Sequence, residues 1–290
     1  MELTGWEAAA ILAKAITYAA TLSAAGAIFF LNYNPSLLRA AQRRRIERGI
    51  ALLAMAAVLA SAAKVLLLAG SMTDNVAGMF DRSFTVMILR AGEGRAAGIR
   101  LAGLIVCCAV FFSKHRSHLA AAPGALLAAG SFAALGHVHA LKPNGAATLL
   151  LILHLWCGAF WLGALWPLLE VARGGDDAQT AAVAARFGNI AVILVIALIA
   201  AGALLLYRLL GNVSELWTSA YGRMLSLKML VVAALLCAAA LNKLRLTPRL
   251  AAGDAEAGVH LRRSIGIEMI LGGTILLVTA ALTTLAGPGD

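Results

Sequence analysis

The sequence predicts an all-α fold, a polytopic membrane bundle of about eight helices, and three observations predict it. Of 290 residues, 61% are hydrophobic and only 13% charged, far from the soluble norm of roughly 45–50% apolar and about 25% charged. Apolar runs of about 20 residues, each long enough to cross a bilayer, recur along the whole chain and raise its mean hydropathy to +0.87. The basic residues behind a formal charge of +10 punctuate those runs and form no exposed stripe with interleaved aromatics, which argues for membrane orientation and against nucleic acid. At about 35 residues per span and loop, eight spans use up the chain, so residues 1–290 read as one integral membrane domain.

The first span, 6–31, follows the acidic start MELTGWE, where a secretory signal would carry positive charge, and reads as a retained helix. It stops at Asn32 to Pro35, and Arg39, Arg43, Arg44, Arg45 and Arg48 crowd the loop that follows. By the positive-inside rule this loop is cytoplasmic, which puts both termini of an eight-span bundle outside. A second span, 50–71, leads into a long outer segment, in which Phe84 to Leu89 is apolar but too short to span. It predicts an interfacial or re-entrant helix over the outer mouth. The remaining spans are expected at 98–113, 119–140, 147–169, 188–210, 222–241 and 264–285. The inner loops SKHRSH, Arg173 to Arg186 and Lys243 to Arg263 then join the first loop in holding most of the 24 Lys and Arg. His115, His118 and His260 fall in these loops and read as solvated surface.

Polar side chains at membrane depth are costly enough to mark function. His137 and His139 close the fourth span in GHVHAL, and His154 lies about two turns into the fifth, with LKPNG between them. A short connection makes the two helices antiparallel neighbours, so His137 and His154 reach similar depth below the outer face. On the fifth helix His154, Cys157, Gly158 and Trp161 share a face by the i, i+3, i+4, i+7 rule. Imidazole with a thiol one turn below is a donor set that suits Cu(I) or zinc, and the hard oxygen donors of magnesium or calcium are scarce. Met72, Met79 and Met87 in the outer segment read as packing residues. Cys107 and Cys108 in the third span, with Cys237 and Met269 further along, suggest soft donors at several levels. Lys14, Lys64, Lys228 and Glu268 are the charges expected inside spans, and Glu268 is expected either to meet a cation beside Met269 or to pair with Arg262 or Arg263.

Nucleotide-driven and common enzymatic machinery is missing from the sequence. It holds no GxxxxGK[ST] loop, no HExxH and no full GxGxxG dinucleotide turn, so transport without nucleotide is expected, with no catalytic residues assigned. Four cysteines, all in apolar runs, build no disulfide framework.

With GH at Gly136, HLWCGAFWLGALWPLL from His154, RFGNIAVILVIALIAAG from Arg186, YGRMLSLKMLV from Tyr221 and LRRSIGIEMILGGTILLVTAALTTLAGP from Leu261, the chain resembles the CopD/PcoD family of bacterial inner-membrane copper-resistance proteins, with its shorter YebZ-like members. The resemblance covers most of the chain, and its order and spacing carry more weight than any single piece. It implies an eight-helix, multi-pass inner-membrane protein that handles copper, works beside a small periplasmic CopC-like copper-binding protein and moves copper inward. His137, His154, Tyr221, Lys228 and Glu268 match family motifs; His139 and Cys157 are less fixed in that pattern. The outer segment, poor in methionine, departs from it. Cu(I) held by His137 and His154, with His139 or Cys157 nearby, and passed toward Tyr221, Lys228, Cys107, Cys108, Glu268 and Met269, is the reading that follows. The wider superfamily also resembles small haem-binding membrane proteins. That implies a second reading, a b-type haem on His137 and His154 working in electron transfer or copper reduction. A membrane scaffold or copper sensor that transports nothing is a third.

Overall fold

Thr4 starts the first helix with a capping box: its hydroxyl accepts from the Glu7 amide at 3.2 Å, and Glu7 Oε2 accepts from the Thr4 amide at 2.9 Å. These bonds satisfy amides that a helix start leaves orphaned. The computed structural model describes residues 3–112, 118–135, 144–209, 216 and 219–285. Among them the fold is all helix, with no strand. The elements are α1 Gly5–Tyr33, α2 Ala40–Thr73, α3 Arg82–Arg90, α4 Gly92–Phe112, α5 Ala122–Gly130, α6 Asn144–Ala172, α7 Asp177–Leu209, α8 Ala220–Leu241, α9 Thr247–Ala251 and α10 Ala255–Leu285.

Six helices among the described residues, α1, α2, α6, α7, α8 running into α9, and α10, are long and apolar enough to cross a membrane. The other two expected spans correspond to α4, whose 21 residues extend about 32 Å, and to the shorter apolar stretch His118–Ala134. The latter corrects the expected span 119–140. It consists of the nine-residue α5 between 3₁₀ turns at His118–Ala121 and Ser131–Ala134, and Pro123, Gly124 and Gly130 make APGALLAAG a weak helix former. His115, His137 and His139 lie outside the described residues.

Three further corrections share one cause. The second span begins at Ala40 and not near residue 50, the sixth at Asp177 and not near residue 188, and the last at Ala255 and not near residue 264. Each of these stretches expected as a loop is continuous with the helix, because Arg, Gln, Glu and Ala are good helix formers that outweigh single glycines such as Gly49 and Gly258. Arg39 and Arg45 then reach Asp176 at 2.5 Å and Glu170 at 2.8 Å, tying α2 to the C-terminal end of α6 and the turn after it. His118 is likewise no solvated residue: its Nε2 lies 2.9 Å from Glu47 Oε1, both side chains largely buried. His260 is exposed, as expected.

In the outer segment α3 is the short helix anticipated there. Asp81 caps it, accepting from the amides of Ser83 at 2.8 Å and Phe84 at 3.4 Å. These bonds and that from the Ser83 hydroxyl hold the exposed Asp81 carboxyl below its ordinary pKa. α3 buries Ile88 against Val65 and Ala69 of α2.

α1 is the hub, packed on α2, α5, α6 and α10. A β-carbon on Gly26 would lie 2.0 Å from the Ala159 carbonyl oxygen and 2.6 Å from Gly163 Cα, so α1 and α6 cross backbone to backbone, as small residues permit in membranes. α6 also packs on α7 and α10, and α8 packs mainly on α10, with Leu206 of α7 against its Tyr221–Leu225 end. Where α7 and α8 part, a cavity of about 300 Å³ opens against α6.

Candidate functional site

His154 is the one predicted ligand among the described histidines, and it turns into the bundle. Its Nδ1 lies 3.0 Å from the carbonyl oxygen of Leu198 on α7. A carbonyl can only accept, so Nδ1 carries the hydrogen, and in the neutral ring Nε2 keeps its lone pair. The ring rests on Gly202, where an added β-carbon would lie 3.1 Å from Cε1 and 3.3 Å from Nδ1. A backbone carbonyl on one nitrogen is the usual way a metal-binding histidine is oriented to present the other.

The helical face read from the sequence does look toward α7. Gly158 faces Leu198, and Trp161 lines the α6–α7–α8 cavity. Cys157 is buried. Lys228, on α8, comes within electrostatic range of His154, a neighbour that no local pattern in the sequence announces. Among the described residues its ammonium makes no hydrogen bond or ion pair. Tyr221, two turns nearer the outer end of α8, packs with Leu225 and with Leu282 of α10.

The lower end of the cavity is polar. Asn242 Nδ2 donates to Glu268 Oε1, both side chains are buried, and among the described residues Asn242 Oδ1 has no partner. Asn242 opens a π turn, Asn242–Leu246, between α8 and α9; such insertions in helices concentrate at functional sites. Lys243 and Thr247 also line this end, and Lys243 donates to Asn189 Oδ1 at 2.8 Å. Sequence reasoning missed Asn242. An amide closing an apolar span just before a basic stretch was the available signal. Glu268 has neither expected partner: Arg262 donates to the Ala172 carbonyl at 3.2 Å, and Arg263 is exposed.

The other candidates are not brought together with His154. Met269, next to Glu268, points out of the bundle, because neighbouring helical residues stand about 100° apart. Cys107 lies between α4 and α5, its Sγ 3.8 Å from the Ala121 carbonyl, and Cys108 is half-buried beside it. Among the described residues no group of three or more His, Cys, Asp or Glu could hold a metal ion.

Two family models match the chain. One, described as the copper resistance protein D-like N-terminal domain, covers residues 4–149, half of the chain; the other, copper resistance protein D, covers 181–282. The chain belongs to the copper resistance protein D family. It is a multi-pass membrane protein of copper resistance, with copper as its associated ion. Tyr221, Lys228, Glu268 and Met269 lie in the second match, Cys107, Cys108, His137 and His139 in the first, and His154 between them. Neither a curated protein nor a solved structure matches the chain.

Proposed function

We propose that this chain conducts copper inward across the bacterial inner membrane through the cleft bounded by α6, α7, α8 and α10. The observation that carries the reading is the seating of His154, with Nδ1 fixed by Leu198 and Nε2 left as a donor. Cu(I) is the cargo that suits imidazole, with His137 and His139 from the preceding outer segment, or Cys157, completing a low-coordinate site. The lower pole, Asn242 with Glu268, is a harder oxygen pair suited to brief contact at the inner end. Weak contacts at both ends of an apolar passage allow entry and release without nucleotide. A periplasmic CopC-like protein would deliver the ion to the His154 end.

Copper uptake into vesicles holding the full-length protein tests this directly. His154→Gln is expected to cut Cu(I) flux by at least about tenfold, the scale on which metal sites lose affinity when their shell is damaged. Undiminished flux would overturn the reading. A Soret band in the purified protein that disappears in His154→Gln would instead put haem iron on this nitrogen.

A further inference from the structure

A second polar site lies on the other side of the bundle. Toward the start of α1 and the end of α10, α1, α2 and α4 bring three cations together around one carboxylate. Lys64 Nζ pairs with Glu93 Oε1 at 2.7 Å. Lys14 Nζ donates to the Thr283 carbonyl at 3.0 Å and to the Thr284 hydroxyl at 3.3 Å. Arg100, only 2% exposed, donates from Nη1 to Ser61 Oγ at 2.9 Å and from Nε to Ser131 Oγ at 3.3 Å, and lies 4.4 Å over the Phe132 ring.

All of Arg100's partners are neutral. Ser61 and Ser131 each donate their own hydrogen to a backbone carbonyl, of Ala57 and Ala128, at 2.7 Å, so they meet the guanidinium as acceptors. Two of its five N–H groups are thereby engaged. Among the described residues no carboxylate lies within ion-pair distance of it, and Glu93, which interacts with it at longer range, is held by Lys64. A surplus of positive charge out of water is expensive unless an anion compensates it.

The space for that anion is present. A groove of about 280 Å³ runs between α2 and α4, with Arg100 and Ser61 in its wall and Val58, Val65, Leu89, Leu101 and Leu104 supplying the rest. Val58, Leu89 and Leu101 are exposed, so the groove opens sideways to the acyl chains. Arg100 lies eight residues into α4, about 12 Å from its first residue. Side chains on a helix lean toward its N-terminus, here the outer end, so the guanidinium reaches toward the headgroup level. We propose that the α2–α4 groove binds an anionic phospholipid, its phosphate held by Arg100 and one acyl chain lying along Val58, Leu101 and Leu104.

The test is native mass spectrometry of the full-length protein after exchange into equal amounts of phosphatidylglycerol and phosphatidylethanolamine. Wild type should retain a single phosphatidylglycerol in preference to phosphatidylethanolamine. Arg100→Gln should retain at least about tenfold less, in line with removal of one partner of a buried charge contact. Because Arg100 also joins α2 to α5, a second variant leaves it untouched. A β-carbon at Gly98 meets open space in the groove wall, so Gly98→Leu should fill the groove and expel the lipid with the fold intact. Equal retention of both lipids, or unchanged retention in Gly98→Leu, would overturn the proposal, as would displacement by excess inorganic phosphate, which would indicate a water-borne anion.

Discussion

A β-carbon at position 202 would press on His154 at 3.1 Å from Cε1, so glycine there is what lets the imidazole lie against α7 with Nδ1 on the Leu198 carbonyl. Gly202→Ala is expected to push the ring off that carbonyl and to weaken copper binding by roughly 10–100-fold, the usual cost of disturbing a ligand's hydrogen-bonded support. The His154 imidazole ¹⁵N resonances would report the displacement; unchanged resonances with weakened binding would assign the loss elsewhere. Asp81 gives a pH-dependent expectation at the same scale. Its carboxyl titrates below the ordinary value of 3.8, so the capping it supplies to α3 is complete above that value. Capping is lost as pH falls through the lower folded value. Amide exchange at Ser83 and Phe84 should therefore quicken relative to the rest of α3 in strong acid, and in Asp81→Ala at any pH. Equal protection in the two proteins at neutral pH would contradict it.

Among elements, the α1–α6 crossing leaves no room for a larger side chain. Gly26→Val would drive side-chain atoms into the Ala159 carbonyl and Gly163, costing on the order of 1–3 kcal/mol or more, and thermal unfolding in detergent should register it as a lower Tm. The spans were legible because a run of about 20 apolar residues suits a bilayer core and little else. Their inner ends were not, since the charge that orients a protein in the membrane says nothing about whether a basic stretch is loop or helix. Arg43 to Arg48 is helical on its own propensities. That Lys14, Lys64, His154, Lys228 and Glu268 lie within apolar helices was also legible, whereas Arg100, buried in α4, was passed over. Their pairings were not legible. Asn242 on Glu268 and Glu93 on Lys64 depend on which helices become neighbours, and that is decided by close crossings such as Gly26 on Gly163.

Across the whole molecule, large aliphatic side chains such as Leu12, Leu52, Leu59, Ile193, Ile196, Leu230 and Ile270 are exposed, a surface that lipid can cover and water cannot. The charges inside this apolar belt are unevenly divided. Among the described residues the part of α1, α2 and α4 around Lys14, Lys64 and Arg100 holds Glu93 as its carboxylate, whereas α6, α8 and α10 supply His154, Asn242 and Glu268 along with Lys228. Copper is expected to travel on the second side because its donors, the imidazole and the buried carboxylate, lie there. Glu268→Gln, which still accepts from Asn242, should reduce copper flux while leaving copper bound at the outer site; equal flux would remove Glu268 from the path. The most direct measurement is the copper K-edge absorption spectrum of the Cu(I)-loaded full-length protein, wild type beside His154→Gln. Loss of imidazole scattering and of bound copper in the variant is the predicted outcome. Identical spectra at equal copper occupancy would mean that His154 Nε2 does not meet the ion.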